Sequence, residues 1–469
     1  MALNEDLERV AQELQDESNC PGKEFYRKAV NLKMYHGTGG WATRLGHIQD
    51  VETHMRKARK HFAMIANIQR KVDMRVVKES PGFPRGKLVR WTSPSKEEVV
   101  SAVRGLKNNK SQDQIGVQPE LIKAACEHPE VSTLFHDFIC RMWNGQEEPP
   151  EYWNQAILVP LYKGKGKFEE LDNWRGISIQ DWSRKVLMRC ILNRLNQVVA
   201  LCVHGSQAGF RPSRSCADVT FTLRRLMEDF RELQQRMKDT GRDVEEDLYM
   251  LFVDFSKAFD SVVPREALWY LLEHKYHVAP RIVTLLRKLY KDTSATISYK
   301  GQLDSKAFEI VVGVLQGDVA SPVFWIIYLN SVLATWRRKL GGEAGVKIRY
   351  QLDGSIRALQ RSVEMAAGVE TRITDVEFAD DCVILEKDRS KFSRAVKIFA
   401  PVVEAFGLKM NLKKGKTTAL RLRRLEKTIY SKEYRKDLVR KGKATNVAKE
   451  VPLLTRATGR QDGGDSLGK

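Results

Sequence analysis

The sequence has 469 residues, of which 79 are Lys or Arg and 59 are Asp or Glu, for a formal charge of +20. Apolar residues make up 42%, which excludes a wholly disordered chain, and no apolar run reaches the ~18 residues of a membrane span. The seven cysteines are scattered without a CxxC pair, and residues 1–20 are acidic without an apolar stretch. A disulfide framework, a zinc site and a secretory leader are therefore disfavoured, and an intracellular, reducing compartment is expected.

The charge is uneven along the chain. Residues 1–20 carry −5, 21–90 carry +11, 91–406 only +2, 407–443 carry +11 and the tail +1. Two basic flanks around a near-neutral centre suggest a polyanionic partner such as nucleic acid, although a solvated basic surface gives the same totals.

Residues 1–75 read as helical and polar, and Ser80–Gly86 has the Pro/Gly punctuation of a linker. Ser95-Lys-Glu-Glu supplies a capping-box start for a helix. Ala156–Tyr162 reads as a buried strand, followed by the basic turn Lys163–Lys167, which does not match a P-loop. A helix is expected over Trp182–Val199, and Tyr249–Asp254 reads as an apolar strand ending in a carboxylate. Pro264 fits the first turn of the next helix, and Gly313–Gly317 is a Gly-bounded turn before an apolar helix over Pro322–Trp336. Thr374–Ala379 and Cys382–Leu385 read as two strands of a hairpin with Asp380-Asp381 at its tip. A helix near Lys391–Phe406 and a strand-like basic segment, Leu408–Leu420, follow. Strands and helices mixed in this way, with hairpin connections, point to an α+β fold.

Asp254 and the Asp380-Asp381 pair carry the sharpest chemical signal. A lone buried Asp is most simply a cap or an ion-pair partner. Three carboxylates ending or interrupting apolar strands are costlier, because each unpaired acid there loses roughly several kcal/mol of solvation. If Asp254 lies on a neighbouring strand, the three can form one cluster of hard oxygen ligands suited to Mg²⁺. Two such ions, ~3.5–4 Å apart, activate an attacking 3′-hydroxyl and stabilise leaving pyrophosphate.

Three segments, Phe252-Val-Asp-Phe-Ser-Lys-Ala-Phe-Asp260, Gly313-Val-Leu-Gln-Gly-Asp-Val-Ala-Ser-Pro322 and Phe378-Ala-Asp-Asp381, resemble reverse transcriptase motifs in that order. The form is most similar to LINE-type (non-LTR) retrotransposon polymerases. Asn173-Trp-Arg-Gly-Ile-Ser178, Gln207-Ala-Gly-Phe-Arg211, and Gly407–Asn411 with Lys414 agree with it. The resemblance implies a right-hand polymerase with an antiparallel palm sheet. It would have a helical N-terminal extension over residues 1–90, fingers and palm over 91–423 (core about 142–422), and a partial thumb or basic tail over 424–469. It implies RNA-directed DNA synthesis from dNTPs on an RNA template, with a DNA primer or RNA–DNA hybrid, and two Mg²⁺ ions, or Mn²⁺ in their place. Asp254, Asp380, Asp381 and the Phe255 carbonyl would hold metal. Lys163, Arg175, Phe259, Gln316, Gly317 and Lys414 would contact substrate, with Phe259 excluding a 2′-hydroxyl. Read without the resemblance, Phe259 is equally a core residue, Gly317 a helix-entry turn, and Lys163 and Arg175 surface bases.

Three positions depart from the family pattern: Ile115 stands in the place of an acid, Gly176 replaces a proline expected to stiffen a turn, and Leu315 replaces a base. Residues 1–90 and 424–469 are too short for the nucleases of complete LINE-type elements, so a fragment or truncated copy is expected. A catalytically inactive nucleic-acid-binding remnant and an RNA-dependent RNA polymerase stay open as alternatives. The resemblance is compatible with a nuclear location, and oligomeric state is not legible.

Overall fold

A computed structural model of the chain describes residues 51–68, 70–83, 89–164, 166–239, 247–256, 263–299, 302–350, 369–413 and 415–422. The chain divides into two units, 1–58 and 59–469. In the first, the described residues 51–58 are the opening turns of helix α1 (Val51–Ala66). The expected thumb or tail, 424–469, lies outside the described residues, as does most of the 1–75 segment.

In the second unit, the short helix α2 (Met74–Glu79) precedes a helical group, α3 (Lys96–Arg104), α4 (Pro119–Glu127) and α5 (Pro129–Trp143). Half of the expected capping box forms: Ser95 Oγ accepts from the Glu98 N–H at 3.2 Å, while the Glu98 carboxylate turns instead to Asn193 Nδ2 and Arg194. A cap of this kind is worth about 1 kcal/mol. Prolines open α4 and α5, where a missing N–H costs nothing. The expected linker is partly anchored. Phe83 packs on Tyr276 with ring centroids 4.6 Å apart, and its backbone N–H donates to the Lys275 carbonyl.

Strands β1 (Gln155–Tyr162) and β2 (Trp174–Ile179) then lead into helices α6 (Trp182–Cys202) and α7 (Cys216–Asp239). Strand β3 (Leu248–Val253) is followed by α8 (Arg265–His274), α9 (Pro280–Tyr290), and strands β4 (Ser294–Tyr299) and β5 (Gln302–Glu309). Helix α10 (Ser321–Leu340) precedes β6 (Val346–Tyr350), β7 (Val369–Ile373), β8 (Asp375–Phe378) and β9 (Asp381–Glu386). Helix α11 (Arg389–Ala405) and strand β10 (Thr418–Leu422) end the described chain.

The strands form a four-stranded sheet in the order β2-β1-β4-β5, a second in the order β10-β3-β9-β8, and a β6-β7 pair. Every pairing in the second sheet is antiparallel, so the fold is mixed α and β with an antiparallel sheet. Helix α10 is buried along nearly its whole length, which is why its sequence is apolar on every side. The polar ends of its aromatics are satisfied inside: Tyr328 Oη donates to the Phe406 carbonyl at 2.6 Å, and Trp336 Nε1 to the Ala395 carbonyl at 3.0 Å. On α7, Leu226 and Phe230 lie in one core cluster with Met250, Val376, Val383 and Leu385 of the second sheet. No described helix is long and apolar enough to cross a membrane.

The structure corrects several local expectations. Pro264 caps α8 rather than entering its first turn. Gly176 sits in mid-strand opposite Pro160, so its position was never a turn needing proline. The segment 408–420 is mostly not a strand: Met410 makes a single bridge to Phe255, a loop follows, and pairing begins at Thr418.

Candidate active site

Strand β3 is apolar because it is interior to its sheet, flanked by β10 and β9. Its last pairing with β9 is Val253 to Cys382, so Asp254 leaves the strand next to Asp381, the first residue of β9, and its charge acts on that carboxyl. The β8–β9 hairpin pairs Phe378 with Asp381, leaving Ala379 and Asp380 as a two-residue turn. Sheet pairing therefore brings Asp254 to two acids more than a hundred residues further along the sequence. The loop before β10 closes on the other side of Asp254. The Asn411 N–H donates to the Asp254 carbonyl at 2.7 Å, and the Asp254 N–H donates to Thr417 Oγ1 at 3.2 Å. Asn411 Nδ2 and Lys416 Nζ each lie 3.2 Å from Asp254 Oδ2.

The carboxylates sense one another. Burial, and then the negative charges of Asp381 and Asp254, push the Asp380 carboxyl above the usual carboxylate range, while the Arg175 guanidinium pulls it back. Burial and the Asp254 charge likewise raise Asp381. Among the described residues, no three His, Cys, Asp or Glu side chains are close enough to hold a metal ion as they stand. The acids are thus close enough for their charges to act on one another.

Arg175 extends from β2, where it pairs with Leu161. The turn at Gln316-Gly317 is bonded to the same strand: the Ser178 N–H donates to the Gln316 carbonyl at 2.7 Å. Gly317 has φ +124°, and a Cβ there would overlap the Ser178 carbonyl oxygen, so only glycine permits this approach. Behind the turn, Asp318 is fully buried against Arg184, and Tyr290 Oη donates to it at 3.0 Å. The structure therefore joins the Gln316-Gly317 turn to the strand that carries Arg175 and sets Arg175 within electrostatic reach of Asp380.

Lys163 is placed differently. Its Nζ donates to the Asp172 carbonyl at 2.7 Å, closing the basic turn on itself. The Phe255 ring is buried edge-on against Trp325, with centroids 5.9 Å apart. Phe259 and Lys414 lie outside the described residues. Sequence reasoning missed Asn411 as a partner of Asp254. It also missed Lys416, which is one of four lysines between Lys409 and Lys416 that residue type cannot separate. Ile115, standing where an acid was expected, is exposed, and Asp113 instead closes that turn by accepting from the Ile115 and Val117 N–H groups.

Residues 163–447, more than half of the chain, match the family described as reverse transcriptase (RNA-dependent DNA polymerase). The chain belongs to that family. Over 246 residues it is 26% identical to the Transposon TX1 uncharacterized 149 kDa protein of Xenopus laevis, an alignment covering 52% of this chain and 17% of that protein. The chain thus spans a small fraction of that relative's length. A structure of apo telomerase from Candida tropicalis, truncated from its C-terminal domain, aligns with 58% of this chain and 51% of its own. The TM-score is 0.37 at 14% identity.

Proposed function

We propose that this chain is an RNA-directed DNA polymerase of the LINE type, adding dNTPs to a primer 3′-hydroxyl on an RNA template. The β10-β3-β9-β8 sheet would be its palm, and the β2-β1-β4-β5 sheet with the neighbouring helices its fingers. The observation that carries the reading is the β3–β9 register, which ends at Val253 and Cys382 and so brings Asp254 beside Asp381, with Asp380 at the adjoining turn.

Asp254, Asp380, Asp381 and the Phe255 carbonyl would hold two divalent ions. When bound, these ions supply Lewis-acid activation of the 3′-hydroxyl and charge neutralisation of the pyrophosphate. The donor set fits: three hard carboxylates, two of them raised first by burial and then by the charges of their neighbours. Asn411 and Thr417 hold Asp254 in place from the loop side. Arg175 offers a fixed positive charge to a triphosphate, where charge-assisted bonds are strong. Gln316 and Gly317 would border the nascent base pair, with the glycine allowing close backbone approach. Phe259 would select deoxynucleotides, and Lys163 and Lys414 would add positive charge near the phosphates.

Purified protein with a primed RNA template and Mg²⁺ should extend the primer with dNTPs and scarcely with NTPs. Equal use of both would favour an RNA-dependent RNA polymerase. Salt-sensitive RNA binding without extension at any metal concentration would favour a non-catalytic remnant.

A further inference from the structure

The segment Gln207-Ala-Gly-Phe-Arg211 contributes no side chain to the acid cluster, yet it grips the turn that presents two of the acids. Gln207 is 1% exposed. Its Oε1 accepts from the Ala379 N–H at 2.9 Å and from the Gly209 N–H at 2.7 Å. Its Nε2 donates to the Ala379 carbonyl at 3.3 Å, and Trp325 Nε1 donates to the same oxygen at 3.2 Å. The carboxamide thus takes up both backbone polar groups of one residue, as a neighbouring strand would. The flanking backbone repeats the pattern: the Glu377 N–H donates to the Ser206 carbonyl, and the Ala208 N–H to the Glu377 carbonyl.

Ala379 needs such support. Its φ is +59°, a left-handed conformation that costs an L-residue with a Cβ roughly 1–2 kcal/mol. A residue of this kind keeps its conformation only where its surroundings over-determine it. Gly209 makes the grip close, since a Cβ there would overlap the Ala379 nitrogen and lie 2.7 Å from its Cα. Ala379 is joined directly to Asp380, so a rotation of its peptide moves both acids relative to Asp254.

We propose that Gln207 is a positioning residue for polymerisation. Its carboxamide, seated by Gly209, locks the Ala379 turn in the geometry that aligns Asp380 and Asp381 with Asp254. This rests on those acids being the reacting centre. The chemistry selects glutamine. Asparagine is one methylene short of both bonds. Glutamate loses the donor to the Ala379 carbonyl and adds a buried charge beside acids already disfavoured as anions.

The test compares steady-state primer extension by the full chain in wild type, Gln207→Met and Gly209→Ala. A stability control is Val99→Ala, a core truncation in α3, which packs on helices rather than on the hairpin. Gln207→Met keeps the volume and removes the bonds. A displacement on the order of 1 Å can cost about a hundredfold in rate. The expected result is a kcat loss of about tenfold to a hundredfold in both variants, with dNTP KM within about threefold and Val99→Ala near wild type. Thermal melts identify the folded variants, and whichever of Gln207→Met and Gly209→Ala folds decides. A folded variant with wild-type kcat overturns the proposal, as does a loss no larger than in the equally destabilised control. If wild type extends and Asp380→Asn does not, while Gln207→Met does, only this inference falls. If Asp380→Asn extends normally, the reading of the acids falls and takes this inference with it.

Discussion

Lys416 Nζ lies 3.2 Å from Asp254 Oδ2, so one acid of the cluster carries a half-exposed protein cation on the side away from Asp381's strand. That ammonium partly neutralises Asp254 and opposes any divalent ion approaching the cluster. Exposed pairs of this kind are worth roughly 0.2–1 kcal/mol. Lys416→Met should therefore tighten Mn²⁺ binding by about 1.4-fold to fivefold, as read by titration of the free-Mn²⁺ electron paramagnetic resonance signal. Unchanged or weaker binding would show that the ammonium does not compete with the metal.

The Gly317 turn supports a second prediction. Gly317→Ala places a Cβ against the Ser178 carbonyl and forces a side chain into φ +124°. The turn and β2 must then separate, which displaces Gln316 relative to Arg175. Primer extension should fall by more than about tenfold in kcat/KM while the far-ultraviolet spectrum stays native, since a misplacement on the order of 1 Å suffices. Full activity would show that this close approach is not needed.

The Arg184–Asp318 pair lies behind that turn with both side chains fully buried. Asp318→Ala strands a buried guanidinium and leaves Tyr290 Oη and the Ala320 N–H without their acceptor. Breaking such a pair costs about 3–5 kcal/mol. The double variant Arg184→Met with Asp318→Leu should lose less than the sum of its parts, because no charge is left alone. Denaturant titration measures both, and strictly additive losses would contradict the coupling.

Asp181 predicts a pH signature. It caps α6, accepting from the Arg184 N–H at 2.9 Å, but burial pushes its carboxyl up from 3.8 to about 6. Because its folded value is raised, the folded protein keeps a proton that the unfolded chain releases. Its contribution to stability therefore falls as pH climbs from about 4 to about 6 and is constant above that. Two pKa units correspond to at most about 3 kcal/mol. Asp181→Asn keeps a capping oxygen without the charge, so it should remove this slope and stabilise the protein at pH 7. An unchanged slope in denaturation midpoints between pH 4 and 6 would contradict the assignment.

Much of the architecture was legible because its signals are local. The Ser95 cap, the apolar run over Tyr249–Asp254 and the hairpin around the acid pair each follow from a few consecutive residue types, although the turn is Ala379-Asp380 rather than the expected Asp380-Asp381, because Asp381 pairs with Phe378 as the first residue of β9. The convergence of Asp254 on Asp381 was inferable only because both interrupt strands that had to pair somewhere. What escaped is non-local or degenerate. Lys416 is one of several equivalent lysines, distinguished only by the loop that folds over Asp254. Gln207 acts through two backbone groups more than 170 residues away, and no composition or periodicity signals a carboxamide that imitates a strand. The loop before β10 looked extended because basic and apolar residues alternate there, yet its Asn411 and Thr417 bond to Asp254 instead of forming a ladder.

The central claim is that Asp254, Asp380 and Asp381 form one reacting centre. Its most direct test is primer extension on an RNA template by wild type and the Asp380→Asn, Asp381→Asn double variant, with melting temperatures matched to within a few degrees. Each substitution keeps the side-chain volume and removes a negative charge that the cluster needs to hold divalent ions. The account predicts dNTP incorporation by wild type and none above background by the double variant. A double variant that extends the primer as wild type does would contradict it.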